Sequence, residues 1–146
     1  MRKLFMGLAC AAAVLGFDAS AQTAQTAKDL QAAPAPDCAA ATTQARMNEC
    51  AHEDFLAATA SYAASYKAVS DKLGTKQKDQ FRRTQKLWIQ YRTSACNFES
   101  SGMAGGSAQG MVKSQCDARM TRARTAELEK LANCPEGDLS CPRFKK

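Results

Sequence analysis

The side chains of this chain best suited to covalent or metal chemistry are seven cysteines and a single histidine, His52. A thiolate beside an imidazole makes a nucleophile, and cysteines with a histidine make a zinc site. Both need free thiols. An odd, high cysteine count fits neither the reduced thiols of a cytosolic protein nor a closed set of disulfides. The fate of each cysteine therefore decides which chemistry is open.

The N-terminus answers part of that question. Arg2 and Lys3 precede an apolar run from Leu4 to Phe17, and Ala19-Ser20-Ala21 supplies small residues at the −3 and −1 positions of a signal-peptide cleavage site. Cleavage before Gln22 removes Cys10, Arg2, Lys3 and Asp18. The formal charge falls from +6 to +5, and six cysteines remain: Cys38, Cys50, Cys96, Cys116, Cys134 and Cys141. An even set in an exported chain reads as a disulfide framework. Acylation at Cys10 is not expected, because the box Gly7-Leu8-Ala9-Cys10 has glycine where leucine is usual. The expected location is periplasmic or secreted, with no transmembrane span.

With the six cysteines paired, His52 has no thiol to activate and reads as a partly exposed helix residue. Cys134 and Cys141 are spaced too widely for the usual zinc knuckle, so neither metal nor cofactor is expected. Glu49 and Glu53 stand one helical turn apart, with Asp54 beside them, but a carboxylate pair without a cleft is a solvated face and not a glycosidase dyad. Gly102-Met103-Ala104-Gly105-Gly106-Ser107 lacks the strand before it and the lysine after it that a phosphate loop needs, and reads as a flexible linker. No enzyme chemistry is expected. Basic residues gather at Lys76, Lys78, Arg82, Arg83 and Lys86, and again at Arg119, Arg122 and Arg124. In an exported chain such groups meet anionic lipid or glycan instead of nucleic acid.

Helices must position these groups. Residues 22–37 are rich in Ala, Gln, Thr and Pro and read as a flexible leader. From Thr42 to Leu73 there is neither Pro nor Gly, and Phe55, Thr59, Tyr62, Tyr66, Val69 and Leu73 form a helical seam, with Gly74 as the closing residue. Thr75 is placed to cap a second helix with a seam of Phe81, Thr84, Trp88, Tyr91, Ala95 and Phe98. A glycine-bearing loop then leads to a third helix, from about Met111 to Ala132, with Val112, Cys116, Met120, Ala123, Leu128 and Leu131 inward. Residues 133–146 form a tail with two cysteines and two prolines.

The fold class is therefore all-α: a small antiparallel helical hairpin or three-helix bundle over residues 38–132, stapled by disulfides. Nearest-neighbour pairing gives Cys38–Cys50, Cys96–Cys116 and Cys134–Cys141. The first is possible only if the chain folds back before about Thr42, because twelve residues of continuous helix would hold the pair about 18 Å apart.

The run Gln85-Lys86-Leu87-Trp88-Ile89-Gln90-Tyr91-Arg92-Thr93-Ser94-Ala95-Cys96 resembles the central signature of the DUF1311 family, named for the N-terminal domain of a mycobacterial lysozyme-inhibitor lipoprotein, LprI. Residues Thr43 to Ala51 resemble the family's first motif, and Gly106-Ser107, Cys116 and Arg124-Thr125-Ala126-Glu127-Leu128 its last. The resemblance covers about Cys38 to Leu131. It implies the helical fold and an exported inhibitor of lysozyme, but no set of inhibitory residues carries over position by position.

The signature residues Gln85, Trp88, Tyr91, Arg92 and Arg124 have a physical reading as architecture. Trp88 and Tyr91 sit on the inward seam, Arg92 is placed to pair with Glu49 or Glu53, and Gln85 to satisfy a polar group at the helix junction. Candidate partner contacts are Lys78, Arg82, Arg83 and Lys86 on the second helix, with Met103, Ser107 and Lys113 at the loop. Two functions follow: inhibition of a lysozyme-type glycoside hydrolase, or a non-enzymatic envelope module whose basic face binds anionic lipid or glycan. Net positive charge opposes the first, since most familiar lysozymes are themselves basic.

Overall fold

In a computed structural model of the chain, residues 38–145 are described. The signal-peptide, Cys10 and leader readings fall outside them. The described residues form three long helices: α1 (Gln44–Lys72), α2 (Thr75–Glu99) and α3 (Gln109–Ala132), with short 3-10 turns at Cys38–Ala40 and Ser100–Met103. There is no strand among the described residues.

Thr43 starts α1 from an extended backbone, and its Oγ1 accepts the Arg46 N–H at 3.3 Å, which satisfies one of the unpaired amides at a helix start. The 3-10 turn before it folds the chain back, so Cys38 reaches Cys50 with an S–S distance of 2.05 Å. Gly74 does not close α1 in the left-handed conformation. Its φ is −72°, and it caps the start of α2, so Thr75 is the first helical residue instead of the cap. Only Leu73 and Gly74 separate the two helices, a connection short enough to force them antiparallel.

The three helices are not equally close. α1 packs along α3 at short range, because Ala51, Ala58 and Ser65, spaced by seven, are buried on α1 and Ala118, Thr121, Thr125 and Ala132 on α3. Small residues at heptad spacing let the backbones approach. α2 stands off from α1 across a layer of rings: Tyr62 and Trp88 stack with centroids 5.4 Å apart, and Tyr66 and Phe81 at 5.1 Å.

The apolar core lies at the α1–α2 turn, where Val69, Leu73, Leu128 and Ala132 are buried and Tyr62, Tyr66, Phe81, Leu131 and Phe144 pack against them. Burying a side chain such as Leu128 contributes about 1.5–3 kcal/mol. The tail closes this end. Cys134 is bonded to Cys141, the Lys145 N–H donates to the Lys72 carbonyl at 2.8 Å, and Lys72 Nζ lies 5.5 Å from the Phe144 ring centroid. The opposite end is stapled by Cys96–Cys116, S–S 2.04 Å, with both cysteines buried.

The expected α2 seam is rotated in part, and the α3 seam departs at one residue. On α2 the inward face is Phe81, Gln85, Trp88, Arg92 and Cys96, not the predicted line through Thr84, Tyr91 and Phe98; Tyr91 is 63% and Phe98 83% exposed. Gln85 and Arg92 displace those rings because they have partners inside. On α3 Cys116 and Leu128 are buried and Val112, Met120 and Leu131 half-buried as expected; only Ala123 is exposed, and Asp117, Thr121 and Thr125 are buried beside them.

Candidate functional site at the α2–α3 turn and its polar support

Arg92 is the centre of the interior. Its guanidinium carbon lies 4.9 Å from the Phe55 ring centroid and 5.4 Å from that of Trp88, one cation between two rings. Nη1 donates to Thr121 Oγ1 at 2.9 Å, and Nε lies 3.3 Å from Asp117 Oδ1. That last contact is an ion pair without hydrogen-bond alignment, since neither atom has a hydrogen-bond partner. Lys113 Nζ donates to Asp117 Oδ2 at 2.6 Å, and the Thr121 hydroxyl donates to the Asp117 carbonyl at 2.6 Å. One side chain thus ties α2 to both α1 and α3. The expected partners were Glu49 or Glu53. Instead Glu49 pairs with Arg46 at 2.7 Å on the surface, because the acid that α2 faces comes from α3.

A second polar link lies two turns earlier on α2. Gln85 Oε1 accepts from Arg124 Nε at 3.1 Å and from the Tyr62 hydroxyl at 3.4 Å, which joins all three helices at the junction predicted for it. Burial raises the Tyr62 phenol above its ordinary value, and Arg124 opposes the shift. Tyr62 therefore stays protonated and keeps its donor at neutral pH. Gln85 Nε2 is buried without a partner.

Of the signature residues, Gln85, Trp88, Arg92 and Arg124 hold the helices together, whereas Tyr91 points outward. Leu87, 65% exposed, lies one turn before it on the same face.

The candidate contact residues separate into two groups. Met103 and Ser107 lie on the α2–α3 turn, and Lys113 is on the first turns of α3. Lys78, Arg82, Arg83 and Lys86 lie on the first half of α2. From Lys86 to Ser100 is fourteen helical residues, about 21 Å along the axis. The basic group is therefore not near the loop.

The turn is an ordered wedge instead of a flexible linker. The Ala104 N–H donates to Ser101 O at 3.1 Å, Gly106 N–H to Met103 O at 2.9 Å and Gln109 N–H to Gly106 O at 3.2 Å. Gln109 Oε1 accepts the Gly105 N–H at 3.1 Å, and Asn48 Nδ2 reaches from α1 to Ser107 O at 2.9 Å. Gly105 has φ +76°, a conformation open to glycine at little cost. Residues 101–107 are exposed and uncharged, with Met103 at 51% exposure. The charged side chains around the wedge are in ion pairs: Glu99 with Arg119, Asp117 with Lys113 and Arg92, and Glu49 with Arg46.

His52 is exposed, with its ring 6.5 Å from that of Phe55. Asp54 pairs with Arg122 of α3. Cys134, Asp138 and Cys141 bring three ligand-type side chains together, but both sulfurs are spent in their disulfide, and a thioether-like disulfide sulfur is no substitute for the thiolate a metal needs.

The family model described as lysozyme inhibitor LprI matches residues 37–128, from the first disulfide through Leu128. An uncharacterized protein of Rhizobium meliloti (strain 1021) is 33% identical over 116 residues, covering 70% of this chain and 84% of that protein. No solved structure matches the chain.

Proposed function

Because the chain belongs to the LprI lysozyme-inhibitor family, we propose that it is an exported envelope protein that inhibits lysozyme-type glycoside hydrolases. We place the contact at the α2–α3 wedge. The family match carries the reading, and the geometry of the wedge supports the location. Such enzymes work with two carboxylates in a cleft, and a narrow turn with no charge of its own can enter one. It is held by the Cys96–Cys116 staple at its base and by Asn48 from the side, so little ordering cost falls on binding.

The location also answers the objection from net charge. The unpaired cations of α2 begin about 21 Å from the wedge, whereas screening acts over about 8 Å at physiological salt. A basic enzyme docking at the wedge meets an uncharged turn whose neighbouring cations are all paired with acids of the protein.

The test is a titration of the oxidised protein lacking residues 1–21 against chicken-type, goose-type and invertebrate-type lysozymes. The expected result is progressive loss of lytic activity for at least one class, and a weaker effect for Met103→Asp. No inhibition of any class at micromolar excess overturns the reading.

One observation favours a second reading. Lys76, Lys78, Arg83 and Lys86 have no ion-pair partner among the described residues, and Arg82 is shared with Asp79 at 3.2 Å. Such a face suits an anionic envelope surface without any enzyme target. That reading requires salt-sensitive co-sedimentation with anionic vesicles or peptidoglycan.

A further inference from the structure

The stand-off between α1 and α2 leaves a groove on the side away from α3. Its volume is about 530 Å³, within the range of about 300–1,000 Å³ common for small-molecule sites. The stacked rings on one side keep α2 at a distance, and Ala63 has too short a side chain to fill the space they create. The apolar floor is Tyr62, Ala63 and Tyr66 from α1 with Ile89 from α2, and Arg82 and Lys86 stand among the lining residues.

Charge on the groove is of one sign. No Asp or Glu lines it. Arg82 is shared with Asp79 on its own helix, and Lys86 has no ion-pair partner among the described residues. Gln85, also in the lining and 3% exposed, has an amide nitrogen with no hydrogen-bond acceptor. Arg82, Gln85 and Lys86 stand at i, i+3 and i+4, so they share one face of α2. Ile89, one turn beyond Gln85, continues that face as apolar surface. The cations Arg82 and Lys86 and the Gln85 amide thus border the apolar surface of Tyr62, Ala63, Tyr66 and Ile89, and Gln90 completes the lining.

We propose that this groove binds a single-chain anionic amphiphile of the fatty-acid class. Its carboxylate lies against Lys86 and Arg82, and its chain runs over Tyr62, Ala63 and Ile89. The carboxylate is the charge complement of a rim with cations and no acids. One acyl chain suits an open groove of this volume bounded by two helices. The site is separate from the α2–α3 wedge, so it stands or falls independently of any enzyme target.

The test uses the oxidised protein lacking residues 1–21 and dodecanoate as the probe, titrated by calorimetry and by NMR shifts of groove residues. The neutral amphiphile dodecyl maltoside, kept below its micelle concentration, is the control. Saturable binding of one dodecanoate is expected, with Tyr62, Tyr66 and Ile89 shifting, and at least tenfold weaker binding of the maltoside. Ala63→Glu puts a bulky anion on the floor and abolishes binding. The double variant Arg82→Glu, Lys86→Glu weakens it by at least tenfold. All three sites are exposed, so the folds survive, and unchanged melting temperatures verify that. Absence of saturable dodecanoate binding, binding undiminished in the folded variants, or equal affinity for the neutral amphiphile overturns the proposal. So does binding confined to anionic vesicles with none to monomeric dodecanoate.

Discussion

Arg92 of α2 and Asp117 of α3 meet inside the bundle at 3.3 Å, with side chains 13% and 5% exposed. Removing one member of a buried pair strands the other, at a cost of about 3–5 kcal/mol. Asp117 keeps Lys113 when Arg92 is lost, so Arg92→Met is expected near the low end, about 3 kcal/mol. Asp117→Ala leaves two cations facing each other and costs more. In a domain of this size 1 kcal/mol moves the melting temperature by roughly 4–8 °C. Thermal unfolding with disulfides intact checks the order, and a melting temperature for Arg92→Met within a few degrees of the parent removes Arg92 from the centre of the fold.

Trp88 and Tyr91 separate in the same experiment. Trp88 stacks on Tyr62 and flanks Arg92, so Trp88→Ala is expected to cost about 3 kcal/mol. Tyr91 is exposed, and Tyr91→Ala should stay within about 0.5 kcal/mol of the parent. Equal losses would return Tyr91 to the inward seam.

That pair shows where reading the sequence succeeds and where it stops. Helical periodicity identified three helices and the α1 seam from Phe55 to Leu73, because large apolar residues there really do face inward. On α2 it placed Phe81 and Trp88 inward but missed Gln85, Arg92 and Cys96 by one position each, about a quarter of a turn. The signature places Gln85 at a helix junction and Arg92 in a cross-helix pair, but Asp117 looks like a surface residue by itself and is interior only because Arg92 and Lys113 meet it there. Pairing across helices has no local spacing to betray it. The cysteine pattern was more legible, since neighbours at the ends of short segments have few alternatives. Nothing in the sequence distinguished the ordered wedge from a slack glycine loop: its order comes from Asn48, fifty-nine residues before the Ser107 carbonyl it holds.

The Cys96–Cys116 staple should control the wedge more than the fold. It closes twenty residues, worth about 3 kcal/mol on chain entropy. Replacing both cysteines with serine lowers the melting temperature and speeds amide exchange at residues 100–108, while far-ultraviolet circular dichroism stays helical. Unchanged exchange in that segment contradicts a supporting role for the bond. Gly105→Ala, which meets no atom within 4 Å but must hold φ +76°, costs about 1–2 kcal/mol for the backbone alone.

Acid acts on the tail through Asp138. Hydrogen bonds from the Ser140 hydroxyl and backbone N–H hold its carboxyl below the ordinary value. A carboxyl whose folded value is depressed stabilises the fold above its unfolded value, and the contribution fades as pH falls through the folded one. NMR titration should therefore place the Asp138 midpoint below about 3.9, with Ser140→Ala moving it upward. The Asp138–Ser140 turn loosens as pH falls through that depressed midpoint, and not as pH rises. A midpoint at or above the ordinary value disproves the hydrogen-bonded turn.

Salt separates the wedge from the basic face of α2. Contact through the uncharged residues 101–107 predicts inhibition that changes less than twofold between 50 and 300 mM salt, because the nearest charges are already paired within the protein. Arg83→Glu and Lys86→Glu, about 21 Å or more from the turn, should leave inhibition intact or strengthen it slightly against a basic enzyme. Binding through the α2 cations predicts the reverse: steep loss with salt and near-abolition by the same two changes. These outcomes oppose each other in sign, and both variants alter exposed side chains that no core contact uses. If charge reversal on α2 destroys inhibition while Met103→Asp spares it, the inhibitory surface is the basic face, and the wedge is only the end of the bundle.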